Sequence, residues 1–188
     1  MAASDSSPVN PSSATPGGSE ASAAVALIRV SGADPEYLLL RRAANPKDPW
    51  SGHFALPGGR REPSDRDLFE TCVRETREEC GVILEAGHLI RALPIAIAGG
   101  HMGRPMGVAP FLFEVPAKPD LRLDAREIAE SHWLAQSYLL DPANRLRAAM
   151  AASHPDRTFP CIRVAGSVGA IWGFTYGVLE AFWESQPR

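Results

Sequence analysis

The sequence predicts a mixed domain of α/β or α+β class, and three observations predict it. Apolar stretches of strand length recur between Gly- and Pro-containing loops, a long charged helix stands among them, and a helix with apolar spacing lies near the end of the chain. In chain order, residues 1–22 carry seven Ser and three Pro with almost no large apolar side chains. Such a segment cannot bury enough surface to offset the entropy of ordering, so a disordered tail is expected, with 23–188 as one domain. Strands are expected at 23–31 and 36–42, joined by the turn Ser31-Gly32-Ala33-Asp34-Pro35 as a hairpin. Residues 43–64 are Pro- and Gly-rich and fit neither period. Asp65 to Cys80 reads as a helix closed by Gly81. Stretches at 88–97, 107–115 and 127–134 read as strands. From Gly173 to Ser185 the spacing of Phe174, Val178, Leu179, Phe182 and Trp183 is helical.

Composition narrows the function. The 188 residues are 45% hydrophobic, which suits one ordinary core. Nineteen Lys and Arg against 22 Asp and Glu give a net charge of −3, so no basic field is available for nucleic acid or anionic lipid. No apolar run approaches the roughly 18 residues of a membrane span. Cys72, Cys80 and Cys161 have neither zinc-site nor disulfide-framework spacing. The first basic residue is Arg29, which fits no secretory or mitochondrial address, and a cytoplasmic location is expected. Nothing in the chain sets an oligomeric state.

The stretch that carries chemistry is Leu56-Pro57-Gly58-Gly59 followed by Arg74-Glu75-Thr76-Arg77-Glu78-Glu79-Cys80-Gly81-Val82. On a helix, Glu75, Glu78 and Glu79 share one face, and like charges this close repel. A hard divalent cation such as Mg²⁺ removes that penalty, because it takes oxygen ligands and completes its octahedron with waters and substrate phosphates. Arg74 lies four residues before Glu78, where it can orient a carboxylate or meet a phosphate oxygen. Gly58 and Gly59 let the main chain approach a metal or ligand closely.

These residues resemble the box of the Nudix hydrolases, G-x5-E-x7-R-E-U-x-E-E-x-G-U with U apolar. Five residues after Gly59 stands Asp65 in place of Glu, eight residues then lead to Arg74-Glu75, and Thr76 fills the apolar position. The Asp and the extra residue look like the variant box of the coenzyme A pyrophosphatase subgroup. That subgroup's upstream signature is matched by Leu38-Leu39-Leu40-Arg41-Arg42-Ala43 and Gly52-His53-Phe54-Ala55-Leu56-Pro57-Gly58-Gly59, while Lys47 stands for an Arg and Leu56 for a Phe. Trp172-Gly173-Phe174-Thr175-Tyr176 is also similar to a segment of such proteins, so the likeness runs over roughly 24–184.

The resemblance implies an α/β/α sandwich around a mixed sheet and hydrolysis of a nucleoside diphosphate linked to another group. Coenzyme A or an acyl-coenzyme A is the expected substrate, with 4′-phosphopantetheine and adenosine 3′,5′-bisphosphate as the products from coenzyme A. It implies Glu75, Glu78 and Glu79 as ligands of Mg²⁺ or Mn²⁺, Arg74 as the residue that orients a glutamate, and Asp65 as support behind them. Glu78 or Glu75 is the expected general base, and Glu127 an additional metal ligand or base from the late part of the chain. Arg42, Gly58, Gly59 and His53 are the expected substrate contacts. Trp172, Phe174 and Tyr176 either line a pocket for a pantetheine or acyl arm or belong to the core. Rival substrates are a nucleotide sugar, a dinucleotide polyphosphate or an oxidised nucleotide; a rival of another class is a non-catalytic module that binds a nucleotide.

Overall fold

The computed structural model describes residues 21–46, 48, 50–100, 103, 105–150 and 156–186. Residues 1–20 of the expected tail, and Lys47, lie outside them. The main sheet has eight strands among the described residues: β1 (Ala21–Val30), β2 (Glu36–Arg42), β3 (Phe54–Ala55), β4 (Gly58–Arg60), β5 (Leu89–Ala92), β6 (Ala96–Ala98), β7 (Met106–Val115) and β8 (Ile128–Ala135). Its order is β3-β2-β1-β7-β5, with β4 beside β1, β6 beside β7 and β8 beside β2. β1 and β7 run parallel and the other pairs antiparallel, so the sheet is mixed. Ala21 and Ser22, placed by the sequence in the tail, belong to β1, because Ala21 pairs with Gly107 and the Ser22 carbonyl accepts from Arg61 N–H.

β1 is buried on both faces, which explains why it is continuously apolar. Ala23, Val25 and Leu27 enter one core, while Ala24, Ala26 and Ile28 enter the other. Tyr37 and Leu39 against Leu38 and Leu40 divide β2 in the same way. Helix α1 (Leu68–Cys80) covers the Ala24 face through Cys72 and Cys80. The Ala23 face is covered by helix α3 (Gly173–Glu184), through Val178, Leu179 and Phe182, together with Leu139 of the short helix α2 (Gln136–Leu140). A second antiparallel sheet, β9 (Arg145–Ala148), β10 (Phe159–Arg163) and β11 (Ala170–Trp172), adds Ile162 and Ile171 to that core. The result is the layered α+β fold that the resemblance implies, with a small sheet added. No helix among the described residues is long and apolar enough to cross a membrane.

Two further boundaries differ from expectation. The charged helix begins at Leu68, because the Asp67 carboxylate caps it by accepting from Glu70 N–H at 2.8 Å, leaving Asp65 in the preceding turn. It ends as expected at Gly81, with φ 74° and its N–H donating to the Arg77 carbonyl. The single strand expected over 88–97 is two, β5 and β6, parted at Leu93-Pro94-Ile95 opposite Pro110 of β7. Neither proline has an N–H to give to a ladder there.

Candidate active site

The Gly58-Gly59 segment is pressed between β1 and α1. Gly58 has φ 146°, and a Cβ on it would overlap the Ala24 carbonyl oxygen and stand 2.6 Å from Val25 Cα. Only glycine fits. Its N–H donates to Glu79 Oε2 at 2.9 Å, fixing that carboxylate under the turn. A Cβ on Gly59 would lie 2.5 Å from the carboxyl carbon of Glu75. Gly58 therefore lets the turn lie against β1 with its N–H on Glu79, Gly59 makes room for the Glu75 carboxylate, and both line the cavity beside them.

Arg74 is the hub of the helix surface. Its Nε and Nη2 donate to the two oxygens of Asp65, both at 2.9 Å, and its Nη1 reaches Glu75 Oε1 at 3.1 Å and Glu78 Oε2 at 3.0 Å. Asp65 is buried and also accepts from the Thr71 hydroxyl and the Glu62 N–H. The Arg74 guanidinium first, and then the Glu62 N–H, hold the Asp65 carboxyl well below the usual carboxylate range. Asp65 thus aims Arg74, and Arg74 aims two glutamates.

A cavity of about 360 Å³ opens beside this network. Its charged lining is Glu75, Glu79, Glu127, Arg42 and Arg60, and much of the rest is apolar, including Val25, Leu56, Met106, Val108, Trp172 and Phe174. Glu79 is 4% exposed. Burial pushes its carboxyl up to about 8; the Gly58 N–H and Arg42 oppose the rise, and the charges of Glu75 and Glu127 add to it. The Glu75 carboxyl is raised as well, by burial first, against Arg74. Carboxylates collected in a half-buried cavity, with glycine-made space beside Glu75, suit a hard divalent cation that takes oxygen ligands.

The sequence places Glu75, Glu78 and Glu79 together; the structure brings only two of them to the cavity. Glu78 is 60% exposed, bound to Arg74, and does not line it. Among the described residues, no three His, Cys, Asp or Glu converge as the side chains stand. Glu127, from the turn before β8, lines the cavity. Of the paired arginines, Arg42 faces the cavity, 2.8 Å from Asp48 and 3.8 Å from Glu79 Oε1, whereas Arg41 turns to Glu130. His53 also lines it, its ring edge-on to Trp172 at 4.8 Å. Trp172 and Phe174 are part of the wall, while Tyr176 packs on the core and donates to Glu180. Sequence reasoning missed Arg60, which among the described residues has no carboxylate within ion-pair distance. Its position directly after Gly59 was the available signal.

The family model described as NUDIX domain matches residues 20–154. An uncharacterized protein of Schizosaccharomyces pombe is 34% identical over 131 residues, covering 67% of this chain and 40% of that protein. The uncharacterized Nudix hydrolase NudL of Yersinia enterocolitica is 33% identical over 116 residues, covering 54% of this chain and 59% of its own. The chain thus spans 40% to 59% of the length of these curated relatives. Among solved structures, a MutT/nudix family protein from Enterococcus faecalis superposes with a TM-score of 0.59 at 16% identity, over 92% of this chain and 64% of that one, which shows a shared fold.

Proposed function

This chain belongs to the Nudix family, and on that premise we propose that it hydrolyses the diphosphate bond of a nucleoside diphosphate derivative, coenzyme A or an acyl-coenzyme A. The observation that carries the reading is one cavity lined both by Glu75, Glu79 and Glu127 and by an apolar wall with Trp172 and Phe174. The charged part suits a diphosphate and its cation, the apolar part an uncharged arm.

Glu75 and Glu79, with Glu127 on the same cavity, are the oxygen donors that would hold Mg²⁺ or Mn²⁺, and Glu78 is held by Arg74 outside the cavity lining. When bound, the cation supplies positive charge that offsets the charge developing on the diphosphate oxygens. Arg42 and Arg60 receive the remaining phosphate charge. A water attacks one phosphorus while the bond from that phosphorus to the bridging oxygen breaks and the other phosphate leaves with that oxygen; the water's proton passes to Glu75 Oε2, the oxygen opposite the one to which Arg74 donates. Glu75 takes this role over Glu78 because Glu75 lines the cavity. Asp65 keeps Arg74, and through it Glu75, in place.

One observation favours a different substrate. Arg42 is partly occupied by Asp48, and the cavity is lined by the aromatic residues Trp50, His53 and Trp172, the kind of side chain against which the base of a nucleotide sugar, dinucleotide polyphosphate or oxidised nucleotide stacks. The test is mass-spectrometric detection of products from coenzyme A and Mg²⁺ with the wild type and Glu79→Gln. Release of 4′-phosphopantetheine and adenosine 3′,5′-bisphosphate by the wild type alone is expected. Without turnover the coenzyme A reading is wrong, and a panel of the rival nucleotides then separates another hydrolase from a binding module.

A further inference from the structure

The β2–β8 pairing carries Glu127 to the cavity, and main-chain hydrogen bonds then tie it to both sides of the site. The last carbonyls of a helix have no partner within the helix. In α1 two of them, those of Glu79 and Cys80, accept from the N–H groups of Asp124 at 3.0 Å and Arg122 at 2.9 Å. The Asp124 carbonyl in turn accepts from Glu127 N–H at 2.9 Å, and the Glu127 carbonyl accepts at 2.7 Å from the N–H of Ala43, directly after Arg42. One run of hydrogen bonds thus passes from Glu79 through Asp124 and Glu127 to the residue beside Arg42, and Glu79, Glu127 and Arg42 all line the cavity.

The segment before Glu127 has two parts with different anchors. Leu121 and Leu123 pack against the core beneath α1, and Arg122 lies so near the helix end that a Cβ on Gly81 would stand 2.9 Å from Arg122 Cβ. That part is fixed by burial. Residues 125–127 form an exposed turn, and the Asp124 carboxylate closes it, accepting from Arg126 N–H at 3.0 Å and taking the Arg126 guanidinium on both of its oxygens. A carboxylate that accepts the N–H two residues on closes a turn locally. Asp124 itself does not line the cavity, and its oxygens are turned to Arg126, so it is not a donor to a cation there.

We propose that Asp124 is a positioning residue that acts through Glu127: by closing the turn it sets where the Glu127 carboxylate stands relative to Glu79, so that both serve one divalent cation. The proposal rests on the reading of the cavity as a cation-assisted diphosphate site. The charge of Glu127 raises the carboxyls of Glu75 and Glu79 alike, so the three lie within electrostatic reach of one another. Without the clasp, the exposed turn regains conformational freedom, and a donor carried on it must be ordered again each time a cation binds.

The test is Mn²⁺ binding to the full chain without substrate, read by electron paramagnetic resonance of the free ion, for the wild type, Asp124→Ala, Asp124→Asn, Glu127→Gln and the double variant Asp124→Ala/Glu127→Gln. Loss of a group that orients a metal ligand commonly weakens binding by roughly 10–100-fold, and that is expected for Asp124→Ala with an unchanged circular dichroism spectrum. Asp124→Asn keeps an oxygen for the Arg126 N–H and is expected to recover part of the loss. Because Asp124 acts through Glu127, the double variant should bind within about twofold of Glu127→Gln. A merely structural role would lower the melting temperature and leave the Mn²⁺ affinity of the folded protein as it is. Unchanged affinity in Asp124→Ala, or losses that multiply in the double variant, overturns the proposal. If Asp124→Ala fails to fold, Asp124→Asn, alone and combined with Glu127→Gln, decides by the same criteria. Failure of the underlying reading looks different: Glu79→Gln and Glu127→Gln then bind Mn²⁺ as tightly as the wild type, which removes the cation from this cavity and the proposal with it.

Discussion

Helix α1 belongs to the core on one face of the main sheet and helix α3 to the core on the other, yet they bury different kinds of side chain. The buried residues of α1 are Thr71, Cys72, Thr76, Glu79 and Cys80, whereas those of α3 are Thr175, Val178, Leu179 and Phe182. α3 is held by removing apolar surface from water. α1 is held by its Asp67 cap, by the Asp65–Arg74 network, and by the turn at Gly58, whose N–H donates to its buried carboxylate. The contrast teaches that this fold separates its tasks by face: one helix presents charge to the cavity at some cost, and the other supplies packing that offsets it.

The strongest way to break that comparison is Glu79→Gln. It is expected to lower turnover by roughly 10²–10⁴-fold, the range for losing a group that acts on charge or a proton in the transition state. The melting temperature is expected to stay level or rise, because near neutral pH a carboxyl 4% exposed must either be buried ionised or take up a proton, both at a cost, while a neutral amide oxygen still accepts from Gly58 N–H. A large fall in melting temperature with turnover intact would reverse the assignment. The mirror experiment is Leu179→Ala on α3. This side chain is fully buried, and its truncation should cost about 2–5 kcal/mol of stability, read by denaturant unfolding, while kcat of the folded enzyme stays near wild type.

Asp65→Asn probes the link between buried network and cavity. Asp65 does not line the cavity, so it acts by positioning Arg74. Losing such support commonly costs roughly 10–100-fold. That loss should fall on kcat with KM little changed, and Asp65→Glu should restore part of it. Equal effects on kcat and KM would mean that Arg74 meets the substrate directly.

The same division decides what could be read from the sequence. α1 was legible because its charges, its terminal Gly81 and the preceding Gly58-Gly59 all follow from local chemistry, and β1 and β2 because strands buried on both faces are continuously apolar. The small sheet was not. β10 contains Pro160, which local rules count against a strand; it is tolerated opposite Arg147 because β11 pairs only with residues 161–163. β3 and β4 are two and three residues long, too short for any period to register, although β4 is what carries the glycines to α1. At the site, helical periodicity put Glu78 with Glu75 and Glu79, but it does not decide that Arg74 holds Glu78 outside the cavity lining. Glu127 comes to the same cavity from a turn more than 45 residues downstream in the chain, a meeting that only the β2–β8 pairing brings about.

The smallest expected effect tests whether the inner face of α1 is shaped for chemistry or merely tolerated. Thr76 is fully buried, and its hydroxyl has no nitrogen or oxygen partner among the described residues, lying instead by the Cys72 thiol. The family's box carries an apolar residue at this place. Thr76→Val keeps the β-branched shape and nearly the same helix propensity while removing the underused hydroxyl. A gain of about 1 kcal/mol is expected, raising the melting temperature by roughly 2–4 °C with kcat unchanged. A fall in stability would mean that the hydroxyl and the Cys72 thiol bind each other strongly enough to matter. A change in kcat at unchanged stability would mean that even the side of α1 turned away from the cavity helps to set the glutamates, and that the separation of tasks runs through the helix rather than between the two helices.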